Sequence, residues 1–209
     1  MSINDKCRIC RRAGEKLFLK GEKCFSQKCS ILRKPYAPGV PPKRRKSRSS
    51  EYGIQLREAQ KLKKTYGIDE KQFKRIVKGV LKKRGKEDVS RLLLKRIEKR
   101  ISNVIFRVGL AKSRRNAQQL VSHAHFSLNG KKINISSQEV KLGDEIKLSE
   151  KSKKNNYFKK ILPLVKKESI PSWLSFDKEK GLIKVAQEPK VEEIGMKINI
   201  PLVLVFYSK

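Results

Sequence analysis

The chain has 209 residues, with 53 Lys and Arg against 20 Asp and Glu, a formal net charge of +33. Such an excess opposes compaction, because like charges in a small volume repel one another. A protein keeps it when a polyanion neutralises it, and nucleic acid is the first candidate, since closely spaced phosphates release condensed counterions on binding. An anionic membrane surface and a histone-like disordered tail are the rivals. Hydrophobic residues make up 37% of the sequence and recur periodically, which predicts folding over much of the chain. No run approaches the roughly 18 apolar residues of a bilayer span, so no membrane partner is expected. The N-terminus, Met1-Ser-Ile-Asn-Asp-Lys-Cys7, lacks an apolar signal segment, which predicts a cytoplasmic protein with reduced thiols. Charge is uneven. Residues 1–100 hold 32 bases and 10 acids, for +22, and residues 101–209 hold 21 and 10, for +11.

Residues 1–34 contain Cys7, Cys10, Cys24 and Cys29, separated by two, thirteen and four residues. A Cys-x2-Cys pair can bind one metal from a tight knuckle, and a second pair completes a tetrahedron. The segment is poor in apolar residues, so a metal would stand in for a missing core. Zinc is the first expectation. An iron–sulfur cluster on the same four thiolates is the alternative, since it needs the same donors. Arg8, Arg11 and Arg12, interleaved with the cysteines, would present cations to phosphates. Residues 35–50 form a Pro-rich arm with the basic run Lys43, Arg44, Arg45, Lys46 and Arg48. Prolines block helix there, so an extended arm that orders on RNA is expected.

Helical periodicity runs over 51–108. Phe73, Ile76, Val77, Val80 and Leu81 fall on one helical face, as do Leu93, Ile97, Ile101, Val104, Ile105 and Val108. Residues 51–95 are assigned to a helical domain whose first helix carries Arg57, Lys61, Lys63 and Lys64 on its polar side. Residues 96–160 carry the densest signals. Ser113 is a candidate N-cap for a helix over 114–121, with Lys112, Arg114 and Arg115 at its opening turn. Helix N-terminal amides beside arginines make a phosphate site. Gln118 and Gln119 lie on the same helix. His123 and His125 follow at its end, suited either to donate to phosphate and ribose or to cap and pack. A strand at 126–128, an Asn129-Gly130 turn and a strand begun by Lys131 and Lys132 predict a basic hairpin. In 161–209, Trp173 reads as a core anchor. Strands are expected near 173–176, at 182–185 and over the β-branched, aromatic run 202–206. All of them are expected to join the sheet begun at 126.

Ile101-Ser-Asn-Val-Ile-Phe-Arg-Val-Gly-Leu-Ala-Lys-Ser-Arg-Arg-Asn-Ala-Gln-Gln-Leu-Val-Ser-His-Ala-His-Phe-Ser-Leu-Asn-Gly-Lys-Lys-Ile-Asn134 resembles the S-four RNA-binding module. The cysteine segment, the helical segment from Ser50 and the ending Val205-Phe-Tyr-Ser-Lys209 extend the likeness, in order, to the bacterial-type S-four family of small-subunit ribosomal proteins. The sequence departs from the family's usual Pro-Gly-Gln-His-Gly at Pro38-Gly39-Val40-Pro41-Pro42. It departs from His-Gly-His at His123-Ala124-His125, and from Arg-Leu-Asp-Asn at Arg100-Ile101-Ser102-Asn103.

The resemblance implies an α+β protein: an N-terminal cysteine metal knot, a helical domain, and an α/β S-four RNA-binding domain with a small, mainly antiparallel sheet. It implies binding of small-subunit rRNA, nucleation of subunit-body assembly, and a place near the mRNA entry channel and the neighbouring proteins S-three and S-five. An influence on decoding accuracy and repression of its own operon's mRNA are implied as well. An enzyme carrying such a module, a pseudouridine synthase or methyltransferase, would need a catalytic domain of its own. The sequence has no Gly-x-Gly-x-x-Gly after a strand, no P-loop and no unassigned domain-sized segment, so neither catalysis nor a small-molecule substrate is expected. A free regulatory RNA-binder is the remaining alternative.

Overall fold

The computed structural model describes residues 3–39, 49–82, 88–166, 168, 170–196 and 198–208. The basic run Lys43, Arg44, Arg45, Lys46 and Arg48 lies outside these residues. The chain divides into two compact units, Met1–Ser90 with Met196–Lys209, and Arg91–Gly195. Among the described residues no helix is long and apolar enough to cross a membrane.

The first unit begins with α1 (Ile3–Ala13), a 3-10 turn (Gly21–Cys24) and α2 (Ser30–Arg33). Then come α3 (Glu51–Tyr66) and α4 (Glu70–Leu81). Ser50 caps α3, its Oγ accepting the Gly53 N–H at 3.2 Å. Gly67 ends it at φ +64°, where a Cβ would be strained. Ala59, Leu62 and Tyr66 form the buried face of α3; Phe73, Ile76, Val77 and Val80 form that of α4.

The second unit is a helix–sheet sandwich. Its helices are α5 (Val89–Glu98), α6 (Ile101–Val108), α7 (Arg114–Ser122), α8 (Glu150–Lys153) and α9 (Asn156–Ile161). Its strands are β1 (Phe126–Leu128), β2 (Lys131–Ile133), β3 (Glu145–Leu148), β4 (Leu174–Asp177) and β5 (Leu182–Val185). The sheet order is β2-β1-β3-β5-β4, antiparallel throughout. The Asn129-Gly130 hairpin sets the first register, Phe126 opposite Ile133 and Leu128 opposite Lys131. Both turn residues take positive φ, +48° and +79°, which a two-residue turn between right-twisted strands requires. Alternation places Ile146 and Leu148 of β3, and Ile183 and Val185 of β5, in the core. They pack there with Ile101, Val104, Ile105, Val108, Phe126, Phe158 and Trp173. Trp173 is 2% exposed, a core side chain as expected.

The last element corrects the sequence reading. Residues expected to form a strand over 202–206 belong to α10 (Ile200–Ser208), which packs on α3 and α4 in the first unit. The side chain of Asn199 accepts the Leu202 N–H at 3.3 Å. Pro201 occupies the first turn, where its missing N–H costs nothing. Ile200, Val203 and Tyr207 are the buried residues, a helical spacing. The run is apolar at nearly every position, so its sequence shows no period, and β-branched composition alone favoured a strand. Packing against α3 and α4 overrides that preference.

Candidate RNA interface

The N-terminal cysteines occupy three elements. Cys7 and Cys10 are one turn apart on α1, not in the tight knuckle expected from their spacing; Cys24 closes the 3-10 turn, and Cys29 is the N-cap of α2. All four thiols are free, and Cys10, Cys24 and Cys29 are buried. Burial pushes the Cys10 thiol up, despite a backbone hydrogen bond from Leu17, and the charges of Cys24, Cys7 and Cys29 add to the rise. Burial acts in the same direction at Cys7, but hydrogen bonds involving Ser30 and Lys20 and the charges of Lys20 and Lys23 outweigh it and bring that thiol down. The Lys20 N–H donates to the Cys24 Sγ at 3.4 Å. Amides and cations of this kind favour thiolates. As they stand, no three His, Cys, Asp or Glu side chains among the described residues are arranged to hold a metal ion.

The predicted cations of the first unit divide into two groups. Arg11 is turned inward: its guanidinium donates to the carbonyls of Lys34 (3.1 Å), Tyr36 (2.9 Å) and Ala37 (3.3 Å) and lies 4.8 Å from the centroid of the Tyr36 ring. It clasps the segment after α2. Lys61 is also committed internally, 2.7 Å from both Glu15 and Glu58. Burial works to lower its ammonium pKa, but the two carboxylates win and hold it above the ordinary value. Lys63 is paired with Glu70. Arg8, Arg12 and Arg57 are exposed. Arg12, Arg57 and Lys64 line a cleft of about 310 Å³ between α1 and α3, together with the apolar Ile9, Leu17 and Leu56.

In the second unit, Ser113 caps α7 as expected, its Oγ accepting the Asn116 N–H at 3.3 Å. Arg114 is not presented freely at the helix start. Its Nε donates to the Asn103 Oδ1 at 2.8 Å, and its guanidinium lies 4.5 Å from the centroid of the Phe106 ring. Asn103 in turn donates through Nδ2 to the carboxylate of Glu98 at 2.7 Å. Arg107 donates to both oxygens of that carboxylate, at 3.0 and 2.8 Å. Glu98, only 1% exposed, is therefore a buried anion satisfied by Arg107 and Asn103, and Asn103 passes the orientation on to Arg114.

Lys112, Arg115 and Gln119 are exposed at α7, and Gln118 is half-buried. His123 is the C-cap residue of α7 and exposed. His125 is half-buried, with Nδ1 2.8 Å from the Ser152 Oγ. Burial, and then the neighbouring His123, hold its pKa below the ordinary imidazole value and favour the neutral ring. That fits the packing alternative for this residue. Asn129 ties the hairpin turn to β3. Its Nδ2 donates to Asp144 at 2.9 Å and its Oδ1 accepts the Glu145 N–H at 2.9 Å. Lys131 and Lys132 project from the hairpin, exposed. The second unit thus brings Lys112, Arg115, Gln119, His123, Lys131 and Lys132 to solvent on one helix and its following hairpin, while Ser113, Arg114 and Asn129 hold the frame.

The sequence reading missed Glu98, Asn103 and Arg107 as positioning residues. A signal existed: Glu98 falls within the apolar stripe Leu93, Leu94, Ile97 and Ile101, where an acid has to be paired.

A helical unit with exposed arginines, together with a capped basic helix and hairpin on a small antiparallel sheet, defines a protein that grips polyanions by surface contact. Comparisons with known proteins place it further. Residues 2–102 match the ribosomal protein S4/S9 N-terminal domain, and residues 99–146 match the S4 domain. The chain is 44% identical to small ribosomal subunit protein uS4 of Syntrophomonas wolfei, over 97% of this chain and 96% of that one. Its identity to the uS4 proteins of Caldicellulosiruptor bescii and Thermus thermophilus is 45% and 41%, each over 99% of this chain and 98% of the relative. The chain belongs to the uS4 family of ribosomal proteins.

Proposed function

We propose that the chain is a structural constituent of the small ribosomal subunit, a primary binder of its rRNA that helps to nucleate assembly of the subunit body. The observation that carries this reading is identity above 40% over nearly the full length to proteins named small ribosomal subunit protein uS4. The exposed cations on both units support it. Binding is by several contacts at once: Arg8, Arg12, Arg57 and Lys64 from the first unit, and Lys112, Arg115, Lys131 and Lys132 from the second. These cations read phosphate positions and RNA shape more than base edges. Membership of the family sets aside a catalytic role. The protein works in the cytoplasm on the ribosome, beside S-three and S-five and near the mRNA entry channel. It contributes there to decoding accuracy and represses its own operon's mRNA.

The expected result of sucrose-gradient fractionation is recovery of the chain with small subunits at one copy each. A chain left with free protein at the top of the gradient would overturn the reading in favour of a regulatory RNA-binder.

The donor set at Cys7, Cys10, Cys24 and Cys29 suits zinc: four thiols on a segment with little core, three of them buried, with an amide and lysine cations that favour the thiolate form. Zinc would supply cross-linking of α1, the 3-10 turn and α2 in place of a core; an iron–sulfur cluster is the alternative on the same residues. Metal analysis of the purified chain is expected to give one zinc per molecule, reduced by Cys24→Ser. Metal-free protein from an anaerobic preparation would refute it.

A further inference from the structure

We propose that the exposed ring of Phe25, backed by Phe18, is a stacking platform for an unpaired nucleobase of the bound RNA; this rests on the RNA-binding reading above. Phe25 follows the 3-10 turn as its C-cap residue and is 75% exposed, while Phe18 is 41% exposed. Their ring centroids lie 4.9 Å apart with planes tilted by 31°. Phe18 holds φ +51°, a region bulky side chains rarely enter. A strained backbone that keeps an aromatic at the surface calls for a use of that surface.

A miniature core does not explain the pair. Core aromatics of the same unit are shut away from water, Phe73 at 0% and Tyr66 at 2%, whereas most of the Phe25 ring remains accessible. The surrounding charge identifies the occupant. Lys16, Lys20, Lys23 and Lys28 lie within a few residues of the two rings in sequence, with Lys23 and Lys28 exposed. Of the acids in this stretch, Glu15 is paired with Lys61. An exposed aromatic face flanked in sequence by lysines matches a nucleotide: the ring would meet the base, and the cations the phosphates on either side. An apolar protein surface would not need the lysines, and paired bases in a duplex would offer no face to stack on. An unpaired base in a loop, bulge or junction offers both.

The test uses the full chain and small-subunit rRNA transcribed in vitro. Phe25→Ala is expected to weaken binding roughly five- to 150-fold, the range seen on removing an aromatic beneath a base. The slope of log affinity against log salt should stay unchanged, because no cation is removed. Phe25→Trp should keep wild-type affinity and gain a fluorescence signal that RNA quenches, measured against the wild-type chain, whose Trp173 is buried. Thermal melting checks that all the Phe25 variants fold; at a site this exposed little change is expected. Wild-type affinity in Phe25→Ala, or full affinity in Phe25→Leu, would overturn the platform while leaving the RNA-binding reading intact. Failure of the wild-type chain to bind the rRNA would overturn that reading itself, and the platform with it.

Discussion

Ala124 sits where α7 turns into β1, with φ +56° in the left-handed region. Its N–H donates to the Val121 carbonyl at 2.7 Å, and the His125 N–H reaches the Leu120 carbonyl at 3.3 Å, so the turn closes the helix and cannot simply relax. A Cβ in this conformation costs about 1–2 kcal/mol. Glycine removes the clash but gains unfolded-state entropy worth about 0.4–1 kcal/mol. Ala124→Gly should therefore stabilise the second unit, by roughly 0 to 1.6 kcal/mol, with a higher melting temperature in thermal denaturation; a lower temperature would mean that the turn is not strained. The family's usual glycine between two histidines marked this position in the sequence. Other residue-scale features were legible for the same reason, that they are local. The Ser113 cap and the Asn129-Gly130 turn depend on neighbours two or three residues away. The restraint of Arg114 was not legible, because it depends on Asn103 and Phe106 of another helix.

Elements were legible where polar residues interrupt apolar ones. α4 alternates its stripe with Lys71, Lys74 and Lys78, and its period is plain. α10 has no such interruption, so its period emerges only from what it packs against. A strand and a helix make opposite claims about this segment. In a strand Val203, Val205 and Tyr207 would share a face; in the helix Val203 and Tyr207 are buried at 0% and 8%, while Val205 is 42% exposed. Tyr207 anchors the helix through its hydroxyl, which donates to the Glu70 carboxylate at 2.7 Å, and through an edge-on contact with Phe73 at 5.3 Å. Burial and that carboxylate push the phenol well above its ordinary pKa, so it stays a donor throughout the working pH range. Val203→Asp should cost several kcal/mol, since it buries a lone carboxylate, whereas Val205→Asp should stay within about 0.5 kcal/mol. Urea denaturation measures both, and equal losses would speak for the strand arrangement.

Over the whole molecule, the net charge of +33 overstates the phosphate contacts available. Charge and position in the sequence made Arg11, Lys61, Lys63 and Arg114 look equivalent to Arg12, Arg57, Lys131 and Lys132. In the folded chain the first four are committed to carbonyls, carboxylates or a side-chain amide. The two groups should therefore separate in a salt titration of RNA binding. Each phosphate neutralised contributes roughly −0.7 to −0.9 to the slope of log affinity against log salt. Replacing both Lys131 and Lys132 with alanine should make the slope shallower by up to about 1.8 and leave the melting temperature nearly unchanged, since both are exposed. Lys61→Ala should do the reverse. It strips the counter-ion from Glu15 and Glu58 and destabilises the first unit, yet leaves the slope of the folded protein as it was. A slope near −1 for the wild-type chain would sink the multi-point mode altogether, because a single phosphate contact would then account for binding. A steep slope lowered equally by Lys61→Ala and by either hairpin lysine would instead mean that the Glu15 and Glu58 pairs open on RNA, and that the internally held cations are a reserve recruited by the phosphates.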